Sequence, residues 1–466
     1  MLVSVPDQPA HSFRQRLAAL SLAMLLPSLG TSIANVALPT LARAFEAPIQ
    51  DVQWVVISYL LAVTTLIVGV GRLGDMLGRR RVLLIGIGLF AFASACGAFA
   101  GNLWLLVAIR GVQGLGAAIM MALTVASVSD MVPKHRTGSA MGLLGTVSAV
   151  GTALGPSLGG FLINAFGWPA VFAFMAVAGG AAFVLGQRIF PADVAKTPSR
   201  FTFDFPGMMV LALALGAFAL STTLGGAAPG IANAGLAVLA LIGLATFAAI
   251  ERRAADPLVQ LALLQDRALA AGLASMGLVS TVLMATLVVG PFYLSGVLGL
   301  SPATTGLVMS VGPGVSALIG IPAGRLVDRF GEASLTYTGL LGVAAGSVLM
   351  MLLPAAFGVG GYISGLATIT AGYALFQAAN TTAVMNGAAS ERRGVTSALL
   401  GLSRNLGLIT GASAMGAVFA YGSRGADFFE LGAGGAAGLQ LTFAVAAVLA
   451  AVALCVAVLG RRRLQF

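Results

Sequence analysis

GRLGDMLG at residues 71–78 returns 253 residues later as GRLVDRFG at residues 324–331, with five of eight positions identical. Each copy follows one apolar stretch and precedes another, so we expect each to lie at a turn between two helices. One copy falls in each half of the chain. The repeat therefore predicts a chain built from two related halves.

The composition shows the environment in which those halves fold. The chain has 466 residues, of which 58% are hydrophobic and 9% charged, and its mean hydropathy is +0.99. Soluble domains are only about half apolar, so this is a membrane protein. A bilayer core of about 30 Å is crossed by about 20 apolar residues in a helix. Fourteen such helices are predicted, at 16–38, 54–75, 82–100, 103–130, 138–165, 169–188, 206–225, 231–250, 268–296, 301–323, 334–353, 359–385, 395–420 and 438–460.

Fourteen spans place both termini on the same side of the membrane, and the Lys and Arg bias selects that side. With cytoplasmic termini, 21 of the 25 basic residues lie in cytoplasmic segments, and Arg43 and Arg424 lie outside. The polar start MLVSVPDQPAHSFRQRL has no short apolar core or cleavage site, so we expect no secretory signal peptide. The prediction is a multi-pass protein of the cytoplasmic (inner) membrane.

The charge and the reactive side chains exclude several classes of function. The net charge of +10 comes from these cytoplasmic segments, and no soluble domain carries a basic face for nucleic acid. Cys96 and Cys455 lie in separate apolar helices, and His11 and His135 are far apart, so we expect no disulfide, metal site or cofactor. With no catalytic constellation in the sequence, we expect no enzyme.

The repeat and the helix count divide the chain into three parts. Residues 1–188 are predicted to form one six-helix bundle, and residues 268–466 a second one. Residues 189–267 are a linker with a cytoplasmic loop and the two extra helices, about 206–225 and 231–250. Two halves related by an axis along the membrane normal are how many secondary transporters are built.

The repeated stretch has a physical role that simple anchoring does not explain. Its glycines let helices approach closely, and an acid just before a following helix gains about 0.3–1 kcal/mol from the positive helix end. Positive-inside anchoring alone would explain three consecutive arginines but not the repeat. We therefore favour a conformational latch. Its residues are Gly71, Arg72, Asp75, Gly78, Arg79, Arg80, Gly324, Arg325 and Asp328.

The same stretch resembles the signature between helices two and three of the major facilitator superfamily. IRGVQGLGAA at residues 109–118 is similar to the family's Arg-x-x-Gln-Gly-x-Gly element of helix four. NVALP at 35–39 is similar to the end of helix one in drug:proton antiporters. DPLVQLALLQDR before helix nine and the run from FQAANTTAVMNG onward resemble the fourteen-helix branch. The resemblance implies the major facilitator fold, all-α, with two six-helix bundles and two additional helices between them.

GTALGPSLGG at 151–160 resembles the helix-five element that marks antiporters in this superfamily. Independently of the resemblance, glycines four residues apart share a helix face and permit close contact with another helix. Proline loosens the local hydrogen-bond ladder. The alternatives are ordinary tight packing, or a seal that prevents leak while the halves rock. The residues concerned are Gly151, Gly155, Pro156, Gly159 and Gly160.

One departure from the family pattern concerns coupling. Relatives usually carry Leu-Asp-x-Thr in helix one, and Gly30 stands here where that Asp is expected. All fifteen acids fall in loops or at helix ends, so no buried carboxylate is apparent. The resemblance implies that Arg110 lies at a position tied to proton transfer, where it would tune a neighbouring titratable group. Gln113 of the same element is a further coupling candidate, and Asp130 and Asp75 are the nearest candidates for a proton site.

Arg110 and Arg404 lie within apolar helices, where an arginine costs about 2.5–3.5 kcal/mol by insertion scales. Either each binds carbonyls of adjacent helices and holds the bundle together, or one or both set a positive field in a central cavity. In the second case anionic or neutral amphiphiles are preferred over quaternary cations. Further candidates for the cavity wall are Thr31, Ser32, Asn35, Tyr59, Gln377, Asn380 and Thr381.

The sequence therefore predicts a secondary active transporter that exports small amphiphilic drugs or metabolites by alternating access. The resemblance implies proton-coupled antiport, multidrug efflux and protons as a partner beside the substrate and the lipid bilayer. We expect a monomer. The alternative is an uncoupled facilitator or exchanger for an organic anion or neutral metabolite. A transporter-like sensor is disfavoured by the short tail RRRLQF, and a channel by the two latch-like turns.

Overall fold

The computed structural model describes residues 13–131, 137–190, 205–224, 230–253, 261–387, 393–423 and 432–461, and every regular element in these ranges is helical. Apolar runs fold in this way in lipid because a helix pairs its own backbone N–H and C=O groups. Most of the buried apolar side chains form one cluster that reaches from Ala19 to Ala457, and Val327, Leu335 and Ala379 form a second, small one. The all-α fold that the sequence predicts is confirmed.

The first bundle contains six long helices and one short one. Within it α1 packs against α6, α3 and α4 both pack against α5, and α4 packs against α7. The elements are α1 Phe13–Ala44, α2 Ile49–Val52, α3 Trp54–Leu77, α4 Arg79–Ala98, α5 Leu103–Met131, α6 Thr137–Phe166 and α7 Pro169–Ile189.

The two additional helices follow as α8 Phe205–Thr223 and α9 Ile231–Arg253. They pack against each other, and α8 also contacts α3. The Trp54 indole Nε1 donates a hydrogen bond to Thr223 Oγ1 at 3.0 Å, which fixes the end of α8 to the start of α3. Both helices lie within a few residues of the bounds expected from the sequence.

The second bundle begins after a short 3₁₀ turn at Leu261–Gln265 and repeats the long helices of the first. Two π-helical turns, Tyr293–Val297 and Gly411–Met415, interrupt its helices. The elements are α10 Arg267–Phe292, α11 Pro302–Phe330, α12 Glu332–Gly387, α13 Arg393–Thr410, α14 Gly416–Gly422 and α15 Gly432–Arg461.

Helix α12 consists of two antiparallel arms. The backbone reverses at Gly358, whose φ of 52° is a left-handed conformation that favours glycine. Gly346 of the first arm lies against Ile369 of the second, and Gly339 lies against Phe376. The two arms correspond to the separate helices expected at 334–353 and 359–385.

Within the described ranges, twelve helices are long and apolar enough to cross a membrane. That number counts α12 once and omits the interrupted helix from Arg393 to Gly422. Counting both arms of α12 and this interrupted helix supports fourteen spans, which stays a prediction.

One pair of helices packs in the same way in both bundles. A Cβ at Gly151 of α6 would lie 2.8 Å from the Leu25 carbonyl oxygen of α1 and 3.1 Å from Ser28 Cβ. At Gly407 of α13, a Cβ would meet the backbone of Gly277 and lie 2.7 Å from Ser280 Cβ of α10. The pairs Leu25 and Gly277, and Ser28 and Ser280, are each 252 residues apart. The contacts of α13 on α10 thus repeat those of α6 on α1.

The repeated stretches are mostly helical, which differs from the expectation of turns. Residues 71–77 complete α3, and residues 324–330 complete α11. Only the last glycine of each copy forms the turn, Gly78 with φ 94° and Gly331 with φ 81°. Residues with a side chain rarely adopt such φ values. Glycine therefore permits the backbone to turn directly into the next helix.

Candidate functional site

A cavity of about 210 Å³ lies between α6 of the first bundle and α10 to α13 of the second. Helix α6 contributes Ala149 and Thr152 to its wall. The apolar part of the wall is formed by Leu283, Leu287, Met309, Pro313 and Leu366. The polar and aromatic part is formed by Thr286, Ser316, Tyr362, Thr370, Tyr373, Gln377 and Arg404.

Of the residues predicted to line a cavity, Gln377 and Arg404 do so here. Asn380, one turn beyond Gln377, is buried and donates from Nδ2 to the Gly272 carbonyl oxygen at 3.1 Å. Thr381 is half-buried beside it and is not among the residues of this wall. These two side chains therefore lie in the second bundle outside the cavity.

The helix-one candidates are used within the first bundle. Thr31 Oγ1 donates to the Pro27 carbonyl oxygen at 2.9 Å, and Asn35 Nδ2 donates to the Thr31 carbonyl oxygen at 3.1 Å. Ser32 is buried where α6 passes at Gly155. Polar side chains in a membrane helix commonly donate hydrogen bonds to backbone carbonyl oxygens one turn earlier in the same helix. None of the three lines the cavity.

Arg110 is fully buried and its guanidinium is bound on every side. Nε donates to the Val55 carbonyl oxygen at 2.9 Å, Nη1 to Gln113 Oε1 at 2.5 Å, and Nη2 to the Gly30 carbonyl oxygen at 3.2 Å. Its Cζ lies 4.2 Å from the centroid of the Tyr59 ring, a cation–π contact. Arg110 of α5 thus ties α1 to α3, which is the first of the two alternatives raised for it.

The neighbours of Arg110 also have hydrogen-bond partners within the first bundle. Tyr59 donates from Oη to the Pro27 carbonyl oxygen at 2.9 Å, and Gln113 donates from Nε2 to Ser94 Oγ at 2.7 Å. A Cβ at Gly30 would lie 3.3 Å from Phe90 Cζ and 3.5 Å from Tyr59 Oη. The position of the missing acid therefore faces this cluster and not the cavity.

Arg404 differs from Arg110 in both surroundings and bonding. It is half-buried, lines the cavity, and its Nε is enclosed without a hydrogen-bond partner. Within the described residues it has no ion-pair partner either. The described part of the chain therefore supplies no opposite charge for this arginine of the cavity wall.

The glycines of α6 contact two different helices. Gly155 lies against Ser32 of α1, with a built Cβ 2.8 Å from Ser32 Cβ, and Gly159 lies against Ile33. Gly160 faces α11 of the other bundle, where a built Cβ would be 3.1 Å from Gly306 Cα. Gly306 in turn lies against the Pro156 backbone. Small residues allow these backbones to approach.

Other contacts between the bundles lie at the same end of the helices as Gly160, the predicted outer face. Arg43 Nη2 donates to Ser295 Oγ at 3.4 Å, joining the end of α1 to the π-helical turn after α10. Gln53, before α3, is buried with its side chain against Gly416 of α14. We name these contacts, with that of Gly160 and Gly306, the outer closure.

The first copy of the repeated stretch is tied into its own bundle. Gly74 of α3 approaches α5, where a built Cβ would be 2.6 Å from Leu123 Cδ2. Beyond the turn, Arg79 Nη1 donates to the Ala126 carbonyl oxygen at 3.0 Å, and Arg80 Nη2 donates to the Gln187 carbonyl oxygen at 2.9 Å. These arginines link the start of α4 to α5 and α7. The side chains of Gly71, Arg72, Asp75 and Asp130 lie outside the described residues.

The second copy is more open. Gly324, Arg325 and Asp328 are exposed in the last turns of α11, and no described atom lies within 4 Å of a Cβ built at Gly324. Asp328 precedes the first residue of α12 by four positions, as Asp75 precedes that of α4.

No group of His, Cys, Asp or Glu side chains suited to a metal ion occurs in the described part of the chain. Both cysteines are free; Cys96 is half-buried and Cys455 exposed.

Several residues of the cavity wall were not predicted from the sequence, among them Tyr373, Tyr362 and Thr152. Tyr373 precedes Gln377 by four residues, so the two share a helix face. That spacing was the available signal for Tyr373. No comparable signal existed for Thr152, because its position depends on how the two bundles meet.

Comparisons with known proteins agree with this architecture. The family described as the Major Facilitator Superfamily matches residues 20–412. Among relatives, the chain is 30% identical to multidrug resistance protein Stp of Mycobacterium tuberculosis, covering 87% of this chain and 75% of that one. It is 30% identical to the multidrug efflux pump LfrA of Mycolicibacterium smegmatis, covering 86% and 80%. It is 29% identical to riboflavin transporter RibZ of Clostridioides difficile, covering 87% and 88%.

Solved structures share the fold at low sequence identity. A bacterial homologue of the human lysosomal transporter Spinster, crystallised inward-facing and unoccupied, superposes with a TM-score of 0.70 at 15% identity and covers 98% of both chains. A peptide transporter in complex with sulfate gives a TM-score of 0.71 at 16% identity, covering 98% of this chain and 97% of that one.

Proposed function

Because the chain belongs to the major facilitator superfamily of membrane transporters, we propose that it exports small amphiphilic molecules across the cytoplasmic membrane by alternating access. Two relatives named for multidrug resistance and efflux support export. A relative named for riboflavin transport extends the range of substrates to metabolites. In this proposal both termini are cytoplasmic, as the Lys and Arg bias predicts, and the chain acts as a monomer.

The observation that carries the proposal is the relation between the cavity and the outer closure. The cavity has walls from both bundles. The outer closure joins the same bundles through backbone contacts such as that of Gly160 and Gly306, which can separate without breaking a covalent or ionic link. We infer that this conformation is closed at the outer face, and that rocking of the bundles opens it.

The repeated stretches are the proposed latch of that motion. In the first bundle the arginines after Gly78 hold α4 against α5 and α7, whereas the second copy is exposed. A latch that releases on one side while the other side closes fits this asymmetry.

For coupling, we propose proton antiport with the helix-five glycines as the seal and the Arg110 cluster as a coupling element. A second candidate is an uncoupled facilitator or exchanger. One observation favours that candidate: no carboxylate is among the described residues of the cavity wall. Asp75 and Asp130 are the proposed proton sites in the first case.

The test is reconstitution of the purified chain in liposomes with separately imposed pH and voltage gradients. A panel of cationic, neutral and anionic amphiphiles serves as substrate, and empty liposomes and a chain carrying a cross-link over the outer closure serve as controls. Accumulation that follows the pH gradient supports antiport. Movement that is indifferent to both gradients supports the facilitator. No movement of any compound above the controls overturns both.

A further inference from the structure

Three polar residues of the second bundle line the cavity. Tyr373 and Gln377 lie one turn apart on the second arm of α12, so they share a face of that helix. Arg404, on α13, lines the same cavity. An arginine, a tyrosine and a glutamine therefore line one cavity of about 210 Å³.

The hydrogen-bonding capacity of these groups is unused by the described chain. Tyr373 is 5% exposed, and its Oη is enclosed with no hydrogen-bond partner. The Nε of Arg404 is also enclosed and has no hydrogen-bond partner among the described residues. Gln377 makes no hydrogen bond within the described residues. Other polar residues of the wall are already satisfied; Thr152 Oγ1, for example, donates to the Ser148 carbonyl oxygen at 3.0 Å. Buried polar groups ordinarily have a hydrogen-bond partner. These three side chains are therefore available to bind a ligand.

The charge of Arg404 indicates what that partner is. A guanidinium in the interior of a membrane protein is costly unless an anion or polar groups compensate it. The described acidic side chains, such as Asp266 and Glu332, lie at helix ends, and none is in the cavity wall. A carboxylate fits a guanidinium with two parallel hydrogen bonds. An anionic ligand would therefore supply the compensation that the wall lacks.

The remainder of the wall suits a flat apolar body. Leu283, Leu287 and Leu366 line it, and so does Tyr362, whose ring is nearly parallel to that of Tyr293 with centroids 6.2 Å apart. The volume is below the roughly 300–1,000 Å³ of pockets for drug-sized ligands, so in this conformation it admits a small molecule or one end of a larger one.

We propose that this cavity binds amphiphiles through an anionic group, a carboxylate attached to an aromatic or similarly flat apolar body. Arg404 binds the carboxylate, the Tyr373 hydroxyl donates a hydrogen bond to the same group, and Gln377 orients it. The proposal rests on the proposed transport function and names its substrate class. Quaternary cations are excluded from the site by the charge of Arg404.

The test is equilibrium binding of radiolabelled 2-naphthoate to the purified full-length chain, with competition by compounds of matched shape. The competitors are unlabelled 2-naphthoate, 2-naphthamide and trimethyl(2-naphthyl)ammonium. We expect 2-naphthoate to bind at least about tenfold more tightly than either of the others, as a charge-assisted bond predicts. Arg404→Gln weakens 2-naphthoate by about tenfold or more and removes its advantage over the amide. Tyr373→Phe, which keeps the ring, weakens it by about two- to tenfold.

Two further variants separate binding from folding. Arg404→Lys keeps the charge and retains part of the preference for the carboxylate, although it loses the planar fork. Arg253→Gln removes an exposed arginine at the end of α9 and leaves binding unchanged. The inference is overturned if the native chain does not bind 2-naphthoate, if the cation binds as tightly, or if folded Arg404→Gln keeps the carboxylate preference. Binding with this preference but no movement in liposomes refutes the transport function alone, whereas movement of all three compounds at equal rates refutes the inference alone.

Discussion

Gly160→Ala is expected to shift the chain away from the conformation that is closed at the outer face. A Cβ at this position would lie 3.1 Å from Gly306 Cα and 3.1 Å from the Pro302 carbonyl carbon, and closer still to the Pro302 carbonyl oxygen. All three are backbone atoms, so α6 and α11 must move apart to accept it.

The size of the shift follows from the cost of overpacking, about 1–3 kcal/mol. The cost applies only while the outer closure is formed, because the two helices separate when it opens. The ratio of the closed to the open conformation should therefore fall by about 5- to 150-fold.

The assay is a distance measurement between spin labels at Met76→Cys and Phe330→Cys. These side chains are 46% and 55% exposed and lie at the ends of α3 and α11, in different bundles and opposite the outer closure. Cys96 and Cys455 are first replaced by Ser. When the outer closure opens, these ends approach each other, so Gly160→Ala should increase the population of short distances.

Two matched variants make the result interpretable. Gly151→Ala creates a similar clash, 2.8 Å from the Leu25 carbonyl oxygen, but within the first bundle, so it should lower thermal stability without changing the distances. Gly180→Ala meets nothing within 4 Å and should change neither. A folded Gly160→Ala chain with the native distance distribution would refute the reasoning.

Three further predictions concern Arg110, Gly30 and the turn after α11. Arg110→Lys keeps the charge but brings a single ammonium nitrogen to a site where Nε, Nη1 and Nη2 each donate to a different acceptor. It should leave buried acceptors unpaired and destabilise the purified chain by about 1–3 kcal/mol. A native melting temperature would contradict the structural role of Arg110. Gly30→Asp places its carboxylate beside Arg110 and outside the cavity, so the ranking of the three naphthyl compounds should not change, and a gain in cation binding would show that position 30 belongs to the substrate site. Gly331→Ala places a residue with a side chain at φ 81°, so it should lower the free energy of unfolding by about 1–3 kcal/mol. Gly324→Ala lies within a helix and its Cβ meets open space, so it should be neutral or stabilising in thermal unfolding. Equal effects of the two substitutions would contradict the proposed turn.

The overall architecture could be predicted from the sequence because hydropathy and the repeat act over long stretches. The family, the all-α fold and the transporter class rather than an enzyme are confirmed. The Gly- and Ala-rich helices α8 and α9 were recovered even though their side chains are small, since length and the absence of charge suffice for a span.

The local geometry of the repeat could not be read in full from the sequence. A stretch with glycines and charges resembles a turn, but Arg72 to Leu77 continue α3, and one glycine at the end forms the turn. In a membrane protein a helix extends into the interface as long as its backbone bonds are satisfied, so charge does not mark its end.

Arg110 and Arg404 show the limit for the site. Both are single arginines in apolar helices, and the sequence offers the same two interpretations for each. Their difference depends on carbonyl oxygens of other helices: those of Gly30 and Val55 accept hydrogen bonds from Arg110, while no carbonyl oxygen of a described residue accepts one from Arg404. Such contacts depend on helix rotation and crossing, which hydropathy does not encode.

Thr31, Ser32 and Asn35 illustrate the same point. Their polarity suggested a cavity wall, but hydroxyl and amide groups in a helix also bond the carbonyl one turn earlier. The sequence alone does not distinguish these uses.

The most direct test of rocking between the bundles is a reversible cross-link over the outer closure. Cys96 and Cys455 are first replaced by Ser, and Arg43→Cys and Ser295→Cys are then introduced. In the native chain Arg43 Nη2 and Ser295 Oγ, which belong to different bundles, are 3.4 Å apart. A short thiol-reactive cross-linker should stop transport in liposomes, and reduction should restore it, while each single cysteine variant transports throughout. Transport at the native rate by fully cross-linked protein would contradict alternating access through this interface.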